Sequence, residues 1–246
     1  MTGTVRRFGK VTRAVHWTVA LLMIVCIITV AILYNGSFAL AIGHRHLVEL
    51  VHVYSGFALP VPILLGAISA AYRLDLRRLN RFTRGDRRWL LSRRRRDGSI
   101  RVGKFNAGQK LNAALSGGAI ATLLGTGIIM YFPTLTRLSW RTGATFVHDW
   151  FALAVGLLVV GHIFYAIKDS EARRGMRTGR VSASWARAEH AAWADEVRDA
   201  QQDVKKNPCS EPASCNARQR SCASNAGVFH AATPLSSSAS LSARSA

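Results

Sequence analysis

The chain has 246 residues, of which 49% are apolar, and its 33 basic and 13 acidic residues give a formal charge of +20. An ordinary soluble fold cannot hold that much apolar surface beside that much charge unless the two are segregated along the chain. They are segregated, which excludes a uniformly mixed soluble domain and leaves a membrane protein with basic connections.

Four windows are almost free of charge: 14–33, 47–72, 111–132 and 147–167. Each is about 20 residues or longer, enough at about 1.5 Å per residue to cross a hydrocarbon core about 30 Å thick. They are apolar on all sides, unlike the one-sided helices of a soluble core. The expected fold is all-α, an integral membrane four-helix bundle occupying residues 1–199. The first window is longer than the apolar core of a signal peptide and lacks a small-residue cleavage site after Leu33, so it is read as retained.

Before the first window come Arg6, Arg7, Lys10 and Arg13, and a long series of arginines, including Arg93 to Arg96, fills the connection between the second and third. The other two connections carry only Arg45 in one, and Arg137 and Arg141 in the other. Positive residues stay on the cytoplasmic side, so both termini and the 73–110 loop are expected there. A sequence pI near 11.3 raises the question of nucleic acid. The arginines flank spans and no nucleic-acid motif accompanies them, so membrane lipid head groups are the expected partner and nucleic acid is not. Cys26 lies in mid-span and reads as a small apolar filler.

Residues 200–246 are rich in Ser, Ala, Asn and Gln and are expected to form a disordered tail. The tail carries Cys209, Cys215 and Cys222, whose spacings fit no zinc or iron–sulfur pattern, so these are expected to be free thiols.

Four histidines fall inside the windows: His16, His52, His148 and His162. Ionisable groups are costly inside a bilayer, and four of them on three helices point to function. Topology sets their depths. His16 lies at the cytoplasmic start of the first helix, His52 about one and a half turns inside the outer surface, and His148 at the outer edge of the fourth helix. His162 follows His148 by 14 residues, about 21 Å and almost four turns, so the two share a face. The expected arrangement is an outer pair, His52 with His148, and an inner pair, His16 with His162. Two imidazoles per iron suit haem b, and a closed coordination sphere favours electron transfer over chemistry at the metal. Small residues nearby leave room for a macrocycle or for close helix packing: Ser55, Gly56, Gly117, Gly118, Gly156 and Gly161. Arg13, one turn before His16, faces either a haem propionate or the membrane boundary.

These residues resemble the cytochrome b membrane (gamma) subunit of respiratory formate dehydrogenases over roughly residues 10–197. The motifs are TRAVHW (12–17), HVYSG (52–56), GKFNAGQK (103–110), HDW (148–150), GHIFYA (161–166) and GMRTGRVSASWA (175–186). GKFNAGQK is the most selective of them. The resemblance implies two haems b, with His52 and His148 holding the outer one and His16 and His162 the inner one. It also implies a quinone site, for menaquinone or ubiquinone, at Asn106, Gly108 and Gln109 on the cytoplasmic side. Amide side chains can hydrogen-bond a quinone oxygen, although Asn106 could equally cap the third helix.

By the same resemblance the partners are an iron–sulfur beta subunit and a molybdopterin catalytic alpha subunit, and the location is the bacterial inner membrane. Electrons from the iron–sulfur subunit would cross to a quinone reduced at the cytoplasmic side, and the chain alone would not oxidise formate. Other di-haem cytochromes b, serving hydrogenase or thiosulfate reduction or standing alone, share the histidine pattern, and a haem-free anchor is the non-redox alternative.

Overall fold

The computed structural model describes residues 3–92, 100–134 and 136–206. In chain order its elements are β1 (Thr4–Arg6), α1 (Lys10–Tyr34), α2 (Gly36–Ile42), α3 (Arg45–Ala58), α4 (Pro60–Gly66), α5 (Ala70–Asn80), α6 (Arg84–Leu91), α7 (Ala107–Tyr131), α8 (Leu138–Lys168), α9 (Ser170–Thr178), β2 (Arg180–Ser182), α10 (Ala183–Glu189) and α11 (Ala191–Lys206). The chain divides into a unit spanning Met1–Glu196 and a second spanning Val197–Ala246. In the second, the described residues are the helical stretch 197–206.

Four segments are long and apolar enough to cross a membrane: α1, α3 with α4, α7 and α8. The protein is an all-α integral membrane bundle. Leu21, Ile28, Leu64, Leu157 and Val160 are each more than half exposed, as suits helices whose outer faces meet lipid tails. The enclosed core is small and central: Met23, Cys26, Leu59, Ala119 and Val155. Cys26 therefore takes the apolar position expected of it.

The second span departs from the expected 47–72. It breaks between Ala58 and Pro60 and ends at Gly66. Pro60 and Pro62 lack the N–H that would continue the ladder, and the Leu59 N–H reaches back only to the Gly56 carbonyl, at 3.2 Å. Gly66 marks a close approach, since a Cβ there would lie 2.6 Å from Val15 Cγ2 and 3.0 Å from Tyr72 Cε1. The fourth span starts at Leu138, nine residues before the expected 147. His148 is consequently well inside α8 rather than at its edge.

Two connections show how the chain reverses. Asn35 ends α1 and caps α2 by accepting from the Phe38 N–H at 3.2 Å. Gly43 then closes α2 with φ +69°, a left-handed conformation that glycine adopts without a Cβ clash. At the opposite end of the bundle, β1 and β2 form a short antiparallel ribbon with Val5 opposite Val181. This ribbon joins the two ends of the spanning domain and was not expected from sequence.

The same end gathers most of the described basic residues and is called the basic end below. Arg7 is buried there, with its Nη2 donating to the Lys104 carbonyl at 2.9 Å and lying 3.0 Å from His190 Nε2. The His190 Nδ1–H donates to the Gly103 carbonyl at 2.7 Å. Trp185, Phe8 and Trp193 surround the Arg7 guanidinium at 4.7, 5.1 and 5.9 Å from their ring centroids. Lys104 pairs in turn with Asp75, which accepts from the Thr12 hydroxyl. Helix α11 continues to Lys206, past residue 200 where the tail was expected to begin. Its Ala, Gln, Glu and Lys content favours helix and its last turn is basic. Cys209, Cys215, Cys222 and Arg93 to Arg96 lie outside the described residues.

Candidate functional site

The spanning helices associate as two hairpins, α1 with α3 and α7 with α8, with sparse packing between them. The histidines meet across that seam. His16 on α1 faces His162 on α8 with ring centroids 6.1 Å apart. His52 on α3 faces His148 on α8 with centroids 6.4 Å apart. These are the pairings the spacing predicts. His16, His52 and His148 are half-buried and His162 is exposed.

The separations have a chemical meaning. Two imidazole nitrogens bonding one metal ion from opposite sides, at about 2 Å each, put the ring centroids about 6 Å apart. Neutral imidazole is also the donor that suits haem iron. A Cβ built at Gly56, Gly117, Gly118, Gly156 or Gly161 would meet no atom within 4 Å, so these small residues border open space. Beside the His52–His148 pair is a cavity of about 70 Å³, lined by Met23, Cys26, Gly56, Leu123 and Val155 among others. Each histidine pair therefore supplies the two-imidazole donor set that a haem iron takes.

Two further residues belong to the site. His52 Nδ1 lies 2.9 Å from Thr29 Oγ1, and His148 Nδ1 lies 2.9 Å from Thr126 Oγ1. Each hydroxyl has its own proton committed to its helix. Thr29 donates to the Val25 or Cys26 carbonyl at 2.8 or 3.0 Å, and Thr126 to the Thr122 or Leu123 carbonyl at 2.8 or 3.2 Å. Each Oγ1 is thereby left to accept from an Nδ1–H. That tautomer presents the Nε2 lone pair outward. Nothing in the sequence pattern separates these threonines from others, because Thr122, Thr142 and Thr145 also bond their own helices.

Asn106 and Gln109 stand at the N-terminus of α7 in a reciprocal capping box. Asn106 Oδ1 accepts from the Gln109 N–H at 2.9 Å, and Gln109 Oε1 accepts from the Asn106 N–H at 3.1 Å. The capping role weighed from sequence is thus present. It occupies the amide oxygens and leaves the Nδ2 and Nε2 groups as the donors each side chain can offer a ligand. Gly108 lies between them, and a Cβ there would come 3.3 Å from the Trp89 ring. Lys110 anchors the same turn through Asp86 and the Arg81 carbonyl, at 2.7 and 2.9 Å. Arg13 is engaged by protein: its Nη1 donates to the Arg177 carbonyl, and Trp17 Nε1 donates to the Met176 carbonyl at 3.3 Å. Helix α9 is thereby held over the start of α1.

The cytochrome b556(Fdn) subunit of the nitrate-inducible formate dehydrogenase of Escherichia coli K12 is 24% identical over 206 residues, covering 78% of this chain and 90% of that protein. The same subunit from Escherichia coli O157:H7 and from Shigella flexneri matches to the same extent. A family model described as prokaryotic cytochrome b561 matches residues 7–179, which include all four histidines and the GKFNAGQK turn. The chain is therefore a haem b protein of the membrane and belongs to the prokaryotic cytochrome b561 family.

Proposed function

We propose that this chain is the di-haem cytochrome b subunit of a formate dehydrogenase, carrying electrons from an iron–sulfur subunit on the outer face to a quinone at the cytoplasmic face. The observation that carries the reading is the pair of cross-seam histidine couples at 6.1 and 6.4 Å, one toward each end of the bundle. The similarity to the Escherichia coli formate dehydrogenase subunit over 90% of its length supports the choice of complex. A molybdopterin alpha subunit and an iron–sulfur beta subunit are then the partners.

Orientation follows from charge. The basic end carries Arg6, Arg7, Arg77, Arg78, Arg84, Arg87 and Arg88, whereas the opposite connections hold Arg45, Arg137 and Arg141. Positive residues are retained on the cytoplasmic side of a bacterial inner membrane. His16 with His162 is then the inner pair and His52 with His148 the outer pair.

Bound haem b supplies reversible one-electron storage. His52 with His148, and His16 with His162, would each hold one haem iron through imidazole, a donor set that suits electron transfer rather than chemistry at the metal. Asn106 and Gln109 each offer an amide donor to a quinone oxygen, and Gly108 keeps the backbone between them narrow. At the cytoplasmic end the protons for a reduced quinone come from adjoining water without crossing the low-dielectric interior. Electrons moving inward while protons are taken up from the cytoplasm charge the membrane.

Haem counting tests the reading. Purified protein is expected to hold two low-spin haems b per chain. His52→Ala or His148→Ala removes the outer one, and His16→Ala or His162→Ala the inner one. A single haem per chain, or four variants with unaltered spectra, refutes the pairing. Co-purification of iron–sulfur and molybdopterin subunits separates formate dehydrogenase from another di-haem cytochrome b of the same family.

A further inference from the structure

We propose that Thr29 and Thr126 are positioning residues that lower the reduction potential of the outer haem below that of the inner one, so that inward electron transfer runs downhill. The inference rests on the reading of His52 and His148 as ligands to one haem.

The argument begins with asymmetry between the two layers. In the outer layer both ligand rings donate Nδ1–H to a hydroxyl at 2.9 Å. In the inner layer, among the described residues, neither the His16 nor the His162 ring makes a hydrogen bond; their aromatic contacts are with each other and, for His16, with the Trp17 ring. Hydrogen-bond donation from the non-ligating nitrogen draws the proton outward and raises the electron density at the ligating nitrogen. A more basic axial imidazole favours ferric over ferrous iron, and the midpoint potential falls. Two such bonds act on one iron in the outer layer and none in the inner.

Placement explains why the threonines can do this only there. Thr29 lies 13 residues beyond His16 on α1, about 20 Å along the axis. Helix α1 thus supplies a ligand to one layer and a support to the other. Helix α7 is the span without a histidine, and it reaches the outer layer through Thr126. Both oxygens are preorganised, because the hydroxyl protons are held by carbonyls one turn back and the lone pairs face the rings. Gly127 adds to the fit on α7: a Cβ there would stand 3.6 Å from His148 Cε1, so the ring rests against the helix beside Thr126. The transfer moves one electron from the outer iron, oxidised from ferrous to ferric, to the inner iron, reduced from ferric to ferrous. Both Nδ1 protons stay on their rings throughout.

Thr29→Val and Thr126→Val remove the oxygen at nearly constant volume, and Thr29→Ser and Thr126→Ser keep it. Redox titration of the purified, haem-loaded full chain, followed optically and by the ferric low-spin resonance, resolves the two haems; the His52→Ala and His16→Ala proteins assign them. Each Val variant is expected to raise the outer midpoint and leave the inner one in place. The double Val variant is expected to shift it further, and each Ser variant to restore the original value. The outer resonance should move in the Val variants, since the freed ring changes its angle to its partner. Val variants that retain both haems with an unaltered outer midpoint and resonance overturn the proposal. If a Val variant loses the outer haem, retention by Ser with the wild-type midpoint supports the hydroxyl's role, and loss by Ser as well overturns it. Failure of the underlying reading has a different signature: His52→Ala and His148→Ala would keep full haem content.

Discussion

His190 offers a pH-dependent test of how the basic end is held together. Its ring is 1% exposed, and its pKa is pushed down to about 3, first by burial and then by the Arg7 charge, with the Gly103 hydrogen bond acting in the opposite sense. In an unfolded or locally opened chain the same ring titrates near about 6.5. Below that value the open form binds a proton that the closed form refuses, so closure is fully favoured above about pH 6.5 and weakens as the pH falls toward 3. With those two pKa values, lowering the pH from 7.5 to 5 costs about 2 kcal/mol of local stability. This corresponds to roughly a 30-fold rise in the open population, at about 1.4 kcal/mol per tenfold.

The Gly103 and Lys104 carbonyls are bound by His190 and Arg7, so the change is expected in the segment 101–110. Hydrogen exchange of those amides, corrected for the intrinsic effect of pH, measures it. His190→Gln keeps a donor and an acceptor but cannot titrate in this range, and is expected to flatten the dependence. Protection that is equal at both pH values in the wild type, or equally pH-dependent in His190→Gln, refutes the reasoning.

Gly66→Ala is expected to destabilise the bundle by about 1–3 kcal/mol, because the new methyl group would overlap Val15 Cγ2. Val15→Ala should relieve most of that loss, and thermal unfolding in detergent of the single and double variants measures the recovery. Asn106→Ala removes a helix cap worth about 1 kcal/mol together with an amide donor to the quinone. Quinone reduction is expected to slow several-fold with both haems retained, consistent with about 0.5–1.5 kcal/mol for one hydrogen bond. Gln109→Ala should do the same, and turnover equal to wild type in both variants would leave these residues with capping alone.

The four spans were legible in sequence because a bilayer imposes its demand locally. Each segment must satisfy its own backbone and present apolar side chains all round, so the pattern lies within about 20 consecutive residues. The shared face of His148 and His162 was legible for the same reason, since helical period alone sets it. The limits of the spans were less so. The second ends at Gly66 rather than residue 72, through the break at Leu59–Pro60, and the fourth begins at Leu138 because a helix continues beyond its most apolar stretch.

What the tertiary structure decided is everything that depends on two distant segments meeting. The partners Thr29–His52 and Thr126–His148 lie 23 and 22 residues apart, on different helices, and no local pattern marks a threonine whose oxygen faces a ring. The same holds for the β1–β2 ribbon and for His190, which is 183 residues from Arg7. In sequence His190 is one histidine in a polar stretch. Only the packing of Arg7, Trp185 and Trp193 together with the Gly103 carbonyl buries its ring and gives both its nitrogens a partner.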